Sequence, residues 1–144
     1  MDTTIVHANA WRHNMILFGH PLLTSERFYH IESVEAITKT PSNSIIALFF
    51  APQNLDLIIY LRANKIRFAL YVTSITEAVL AENMNANYLL VHPKVGQEIQ
   101  KVAEHYMFDA KVLGYIEQED QLERLIEMRL DGAIFIEAIV KITS

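Results

Sequence analysis

The chain has 144 residues, 51% hydrophobic and 20% charged, with a mean hydropathy of +0.17; that balance excludes intrinsic disorder, and 4 Gly and 4 Pro exclude collagen-like or linker-dominated chains. With no cysteine, disulfides, thiolate metal sites and sulfur nucleophiles are excluded together, which fits a reducing compartment. The formal charge of −5, from 12 basic and 17 acidic residues, lacks the positive field that phosphate backbones demand and argues against nucleic acid as a partner.

The chain reads as one domain, 1–144, with an irregular N-terminal segment 1–27 followed by repeating βα units over 28–144. In the first segment, Trp11 and Met15-Ile16-Leu17-Phe18 precede Gly19-His20-Pro21. This is either a strand closed by a turn or a segment packed across a sheet edge or onto a partner. Met15 to Phe18 is too short for a signal core or a spanning helix, as are the runs Ile45 to Ala51 and Ala133 to Val140, so a cytoplasmic location is expected.

From residue 28 onward, apolar β-rich runs predict strands at Phe28–Ile31, Ile45–Phe50, Phe68–Thr73, Tyr88–His92, Lys111–Ile116 and Ala133–Glu137. The last five start roughly 20 to 23 residues apart, the length of a strand, a helix of about three turns and two short loops. Ile45-Ile46-Ala47-Leu48-Phe49-Phe50 is apolar at consecutive positions, as a strand covered on both faces requires.

The segments between carry helix signals. After Pro52, residues 53–63 hold Leu55, Leu57, Ile58, Ile59, Tyr60 and Leu61, too many for one apolar stripe; either the helix crosses a deep part of the fold or a second copy covers its outer face. Ser74-Ile75-Thr76-Glu77 matches a capping box that opens the next helix. Gln97 to Phe108 places Ile99, Val102, Ala103, Tyr106 and Met107 with Val95 on one stripe. Gln118 to Arg129 turns Leu122, Leu125 and Ile126 inward, and its first turn carries Glu119 and Asp120 at the positive end of the helix dipole. These alternations predict an α/β fold: a parallel sheet of about five to six strands with helices on both faces, a flavodoxin- or Rossmann-like three-layer arrangement. The alternative is a half (βα)8 barrel.

Leu130-Asp131-Gly132-Ala133-Ile134-Phe135-Ile136-Glu137-Ala138-Ile139-Val140-Lys141-Ile142 resembles the final strand and turn of phosphate-binding (βα)8 barrels of the tryptophan synthase alpha subunit kind. Ile75-Thr76-Glu77-Ala78 through Tyr88-Leu89-Leu90-Val91 shares their cadence. The resemblance covers under half of the chain. In that family a Gly-Ser turn presents amides to a phosphate, whereas Phe135, Ile136 and Glu137 stand here, so the family's activity is not implied. Tyr88-Leu89-Leu90-Val91-His92-Pro93-Lys94 is similar to a strand, proline turn and helix of response-regulator receiver domains, but the lysine follows the proline and no aspartate acceptor ends strand 45–50 or 68–73. Both resemblances imply parallel α/β architecture and neither implies a mechanism.

In parallel sheets ligands settle beyond the carboxyl ends of the strands. The polar residues expected there are Gln53, Asn54, Thr73, Ser74, His92, Lys94, Glu117, Glu119 and Glu137. His92 with Glu117 or Glu137 is the one plausible proton-transfer pair, with Ser74 or Lys94 orienting a ligand; Thr73 lies beside them. Simple structural roles compete, since Ser74 and Glu77 suit a cap and His92 before Pro93 suits a hydrogen-bonded loop. His7, His13, His20 and His30 lack metal-ligand spacing, so no metal is expected. Glycines at 19, 96, 114 and 132 are too scattered for a phosphate loop, and no cofactor is expected. Two functions follow. The favoured one is a non-catalytic module that self-associates or docks on a protein through the 53–63 helix and the Trp11 to Phe18 segment. The other is a binding protein or enzyme for a sugar phosphate, nucleotide or carboxylate at the strand carboxyl ends.

Overall fold

The computed structural model describes residues 14–142. Its strands are β1 (Ile16–Phe18), β2 (Phe28–His30), β3 (Ile45–Phe49), β4 (Phe68–Tyr71), β5 (Tyr88–Val91), β6 (Lys111–Ile116), β7 (Gly132–Phe135) and β8 (Val140–Lys141). The helices are α1 (Val34–Ile37), α2 (Leu55–Ala63), α3 (Ile75–Asn83), α4 (Pro93–His105) and α5 (Leu122–Glu127). All strands join one sheet in the order β1-β7-β6-β5-β4-β3-β2-β8, and every pairing is parallel. No helix among the described residues is long and apolar enough to cross a membrane.

The sheet has eight strands, not the five to six expected. One addition, β1, lies inside the segment read as irregular. The other, β8, follows β7 through a single 3-10 turn at Ile136–Ala138, and so breaks the 20-residue spacing that betrays the other strands. The expected helices on both faces are also corrected. Residues alternate along each strand, and one set (Ile46, Leu48, Leu70, Leu89, Val112) packs against Leu57, Ile58, Leu61, Ala78, Ala81, Ile99, Ala103 and Leu125 of the helices. The opposite set (Phe18, Phe28, Ile45, Ala47, Ala69, Leu90, Leu113, Ile134) forms a core that contains no α-helical residue. The sheet curls into a half-barrel and fills its own concave face, so its strands are covered on both sides with one helical layer. Consecutive apolar residues report double coverage, not what supplies it.

The curl shows at the edges. Phe18 on edge strand β1 meets Phe28 of β2, near the other edge, with ring centroids 4.9 Å apart, and both rings reach Tyr88 at 5.5 Å. Phe28 and Tyr88 open their strands and Phe18 reaches them from the last position of β1, so that the three aromatics plug the interior in the edge-to-face arrangement that ring quadrupoles favour.

That end is laced together by side chains. The Phe68 amide donates to Asn87 Oδ1 at 3.0 Å and the Val112 amide to Asp131 Oδ2 at 2.9 Å, in each case tying the start of one strand to the residue before the next. Glu82 accepts from the amides of Asp109 and Ala110, and buried Gln100 accepts from that of Asp131. Arg67 grips the Glu26 carboxylate through its two terminal guanidinium nitrogens, and this hydrogen bonding holds the Glu26 carboxyl below its ordinary pKa.

Candidate functional site

Five rings form a continuous array on the concave face where strands β2 to β6 end. His30 is the last residue of β2, Phe49 of β3 and Tyr71 of β4; His92 follows β5, and Tyr115 is the penultimate residue of β6. Ring centroids are 5.3 Å apart for His30–Phe49, 4.9 Å for the stacked pair Phe49–Tyr71, 5.8 Å for Tyr71–Tyr115 and 5.8 Å for Tyr115–His92. The strands dictate this. Ala47 and Ala69 occupy the same concave face two residues before Phe49 and Tyr71, so small side chains in the middle of the sheet leave the larger rings standing at its end. Asn54 Nδ2 donates to the Phe49 carbonyl at 2.8 Å and fixes the chain as it leaves β3.

The array combines apolar surface with polar atoms. Phe49 is 56% exposed although it belongs to the concave face. Burial pushes the Tyr71 phenol up to about 12, with the neighbouring Tyr115 adding to the shift, and burial also raises Tyr115. Both groups therefore remain neutral phenols through the physiological range. His30 is 7% exposed; its Nε2 lies 3.6 Å from Glu32 Oε2, too far for a hydrogen bond, and its ring makes none among the described residues.

The residues expected at this edge do reach the turns that follow the strands, but most serve the backbone. Ser74 Oγ accepts from the Glu77 amide at 3.1 Å and caps α3. Glu77 reaches one residue beyond a standard capping box, accepting from the Thr73 amide at 2.8 Å and the Thr73 hydroxyl at 3.1 Å. His92 caps α4: its Nδ1 accepts from the Lys94 amide at 3.0 Å, so the proton of the neutral ring is assigned to Nε2. Its ring is the one expected group that belongs to the aromatic array. Lys94 is exposed in the first turn of α4, and Glu117 and Glu137 are exposed just after β6 and β7. The Glu117 amide is held by Gln121 Oε1, and no direct His92–Glu117 or His92–Glu137 pair forms.

His20 is placed differently from its sequence context. Its Nδ1 accepts from the Leu22 amide and its Nε2 bonds Glu119 Oε2 at 2.9 Å, clasping the turn after β1 to the turn after β6. Among the described residues no group of three or more His, Asp or Glu could hold a metal ion; His7, His13 and Trp11 lie outside those residues.

His30, Phe49, Tyr71 and Tyr115 were not legible as site residues from polarity alone. The usable signal was positional: an aromatic at the end of a strand, two residues after a small or aliphatic one, as in Ala47–Phe49, Ala69–Tyr71 and Leu113–Tyr115. Clefts at the opposite end have a different character. The larger, about 880 Å³, includes Ile16, Glu104, Lys111, Arg129 and Asp131 in its wall; its buried polar group, Gln100, is bonded at both ends of its amide. No protein-family model matches the chain, and no curated protein matches it.

Proposed function

We propose that the chain is a small-molecule-binding protein whose site is the mouth of the curled sheet, at the carboxyl ends of β2 to β6. The observation that supports this is the ring array His30–Phe49–Tyr71–Tyr115–His92. It places exposed apolar surface and unionised phenols where parallel sheets take their ligands, while the polar side chains Asn87 and Asp131 at the opposite end are bonded to strand amides. Thermal shifts against sugar phosphates, nucleotides, carboxylates and amines, followed by resonance mapping of any binder, test the reading. A ligand at a hundred times its Kd is expected to stabilise the fold by about 2.7 kcal/mol, with shifts centred on Tyr71 and Tyr115. A binder that maps only to other surfaces, or no binder in any class, would remove it.

A second reading, self-association through α2, is supported by Leu55, Ile59 and Tyr60, which are exposed on that helix beside exposed Ile75, Val79 and Leu80 of the next. Here the expected outcome is a dimer mass by light scattering at tens of micromolar, reverting to monomer in Ile59→Glu. A monomer in the unsubstituted chain ends this reading without touching the first.

A further inference from the structure

Acidic side chains outnumber basic ones at the mouth. Glu32, Glu117, Glu119, Asp120 and Glu137 follow the strands there, against Lys94 in the first turn of α4 and Lys141 on β8. At the amino ends of the strands the two signs mix: Arg27, Arg62, Lys65, Arg67, Lys111 and Arg129 stand among Glu26, Glu82, Asp109 and Asp131. Resting on the mouth reading above, we propose that the site selects a small organic cation, an alkylated ammonium group, held against Phe49, Tyr71 and Tyr115 beneath the rim carboxylates Glu32, Glu117 and Glu137.

Three features converge on that chemistry. The faces of aromatic rings carry negative charge density, and a cation with alkyl substituents gains both electrostatic attraction and apolar contact there. Phe49 keeps 56% of its surface open and is held by stacking on Tyr71. His30 is a polar ring nine-tenths buried within this array, with no hydrogen-bond partner among the described residues. Among the described residues every side-chain nitrogen or oxygen that is fully shut off from solvent has a partner; the ring nitrogens of His30 are therefore not sealed, and the neutral ring keeps a lone pair that can face a cation's charge.

The third feature is the hostility of the site to anions. A phosphate or carboxylate at a parallel-sheet mouth normally rests on free amides at helix starts. The first turns of α3 and α4 have spent amides on their own caps, Ser74 Oγ and His92 Nδ1. The rim carboxylates then add repulsion. Glu32, with its side chain 85% exposed, brings Oε2 within 3.6 Å of His30 Nε2.

The experiment uses the full chain with choline and benzyltrimethylammonium as probes. The uncharged carbon isostere of choline, benzoate and inorganic phosphate serve as comparisons, read by calorimetry and by the ring resonances of Tyr71 and Tyr115. The ammonium is expected to bind about tenfold more tightly than its isostere. Phe49→Ala, at a position more than half exposed and so compatible with the native fold, is expected to weaken it about tenfold. Glu32→Gln with Glu137→Gln should weaken it a few-fold and flatten its dependence on salt. Equal binding of the isostere, or preferential binding of benzoate or phosphate at the mouth, overturns the cation assignment and leaves the mouth reading intact. If none of these probes moves the mouth resonances while another class of compound does, the assignment also falls alone; if no compound of any class does, both fall.

Discussion

Replacing Phe28 by alanine is expected to lower folding stability by about 4 kcal/mol, the middle of the range for losing a buried phenylalanine. Phe28 is 1% exposed and meets Phe18 and Tyr88 edge to face, so truncation removes the most deeply buried member of the interior plug. On the convex face a helix could shift to close such a gap. On the concave face the neighbours are strand residues held in register by backbone hydrogen bonds, and the cavity persists. Urea denaturation with linear extrapolation measures the loss. A value below about 1.5 kcal/mol would mean that the interior collapses easily and that the two edges of the sheet are not joined through these rings.

Gly132→Ala should cost about 3 kcal/mol, at the upper end of ordinary overpacking, because the added methyl meets backbone. A Cβ there would clash with the Ile16 carbonyl oxygen and lie 2.8 Å from Leu113 Cδ2. Ile16 is the ladder partner of Gly132, so relief of the clash requires β1 to move off β7. The same added methyl at Gly114 is a useful control. It would meet only the ends of Leu125 and Leu130 at 2.8 and 2.9 Å, which can rotate away, and the loss should be clearly smaller. Hydrogen exchange at the β1 amides distinguishes the two: Gly132→Ala should accelerate it and Gly114→Ala should not. Equal exchange in both variants would show that β1 does not depend on close approach to β7.

How far the sequence speaks is visible in these residues. Doubly covered strands such as Ile45 to Leu48 and helix starts such as Ser74 to Glu77 are written in local pattern, and the structure contains both. The parallel α/β class followed from them. Pro93 opens α4 with His92 as its cap, a start four residues before the one expected from the apolar stripe alone, because the stripe begins only where the helix meets the sheet. What was not legible is the curvature. Whether Phe18 and Phe28 touch depends on the accumulated twist and stagger of the intervening strands, which no window of sequence records. The array was missed for the same reason: His30, Phe49, Tyr71 and Tyr115 are separated by at least 19 residues and become neighbours only once the strands lie side by side in register. Two-residue β8 carries no periodicity of its own, and its pairing with β2 is a product of the closing curl.

The lacing at the amino ends has a consequence for how this scaffold can change. Asn87, Asp131 and Glu82 bind strand starts and must be kept for the framework to assemble. The mouth turns at residues 50–54, 92–94 and 117–121 give the framework their helix caps, the Asn54 and Gln121 contacts to backbone and the Glu119 clasp on His20. Assembly and recognition are thereby assigned to opposite poles, and the mouth segments can be exchanged, lengthened or diversified in a library while one invariant base continues to specify the architecture.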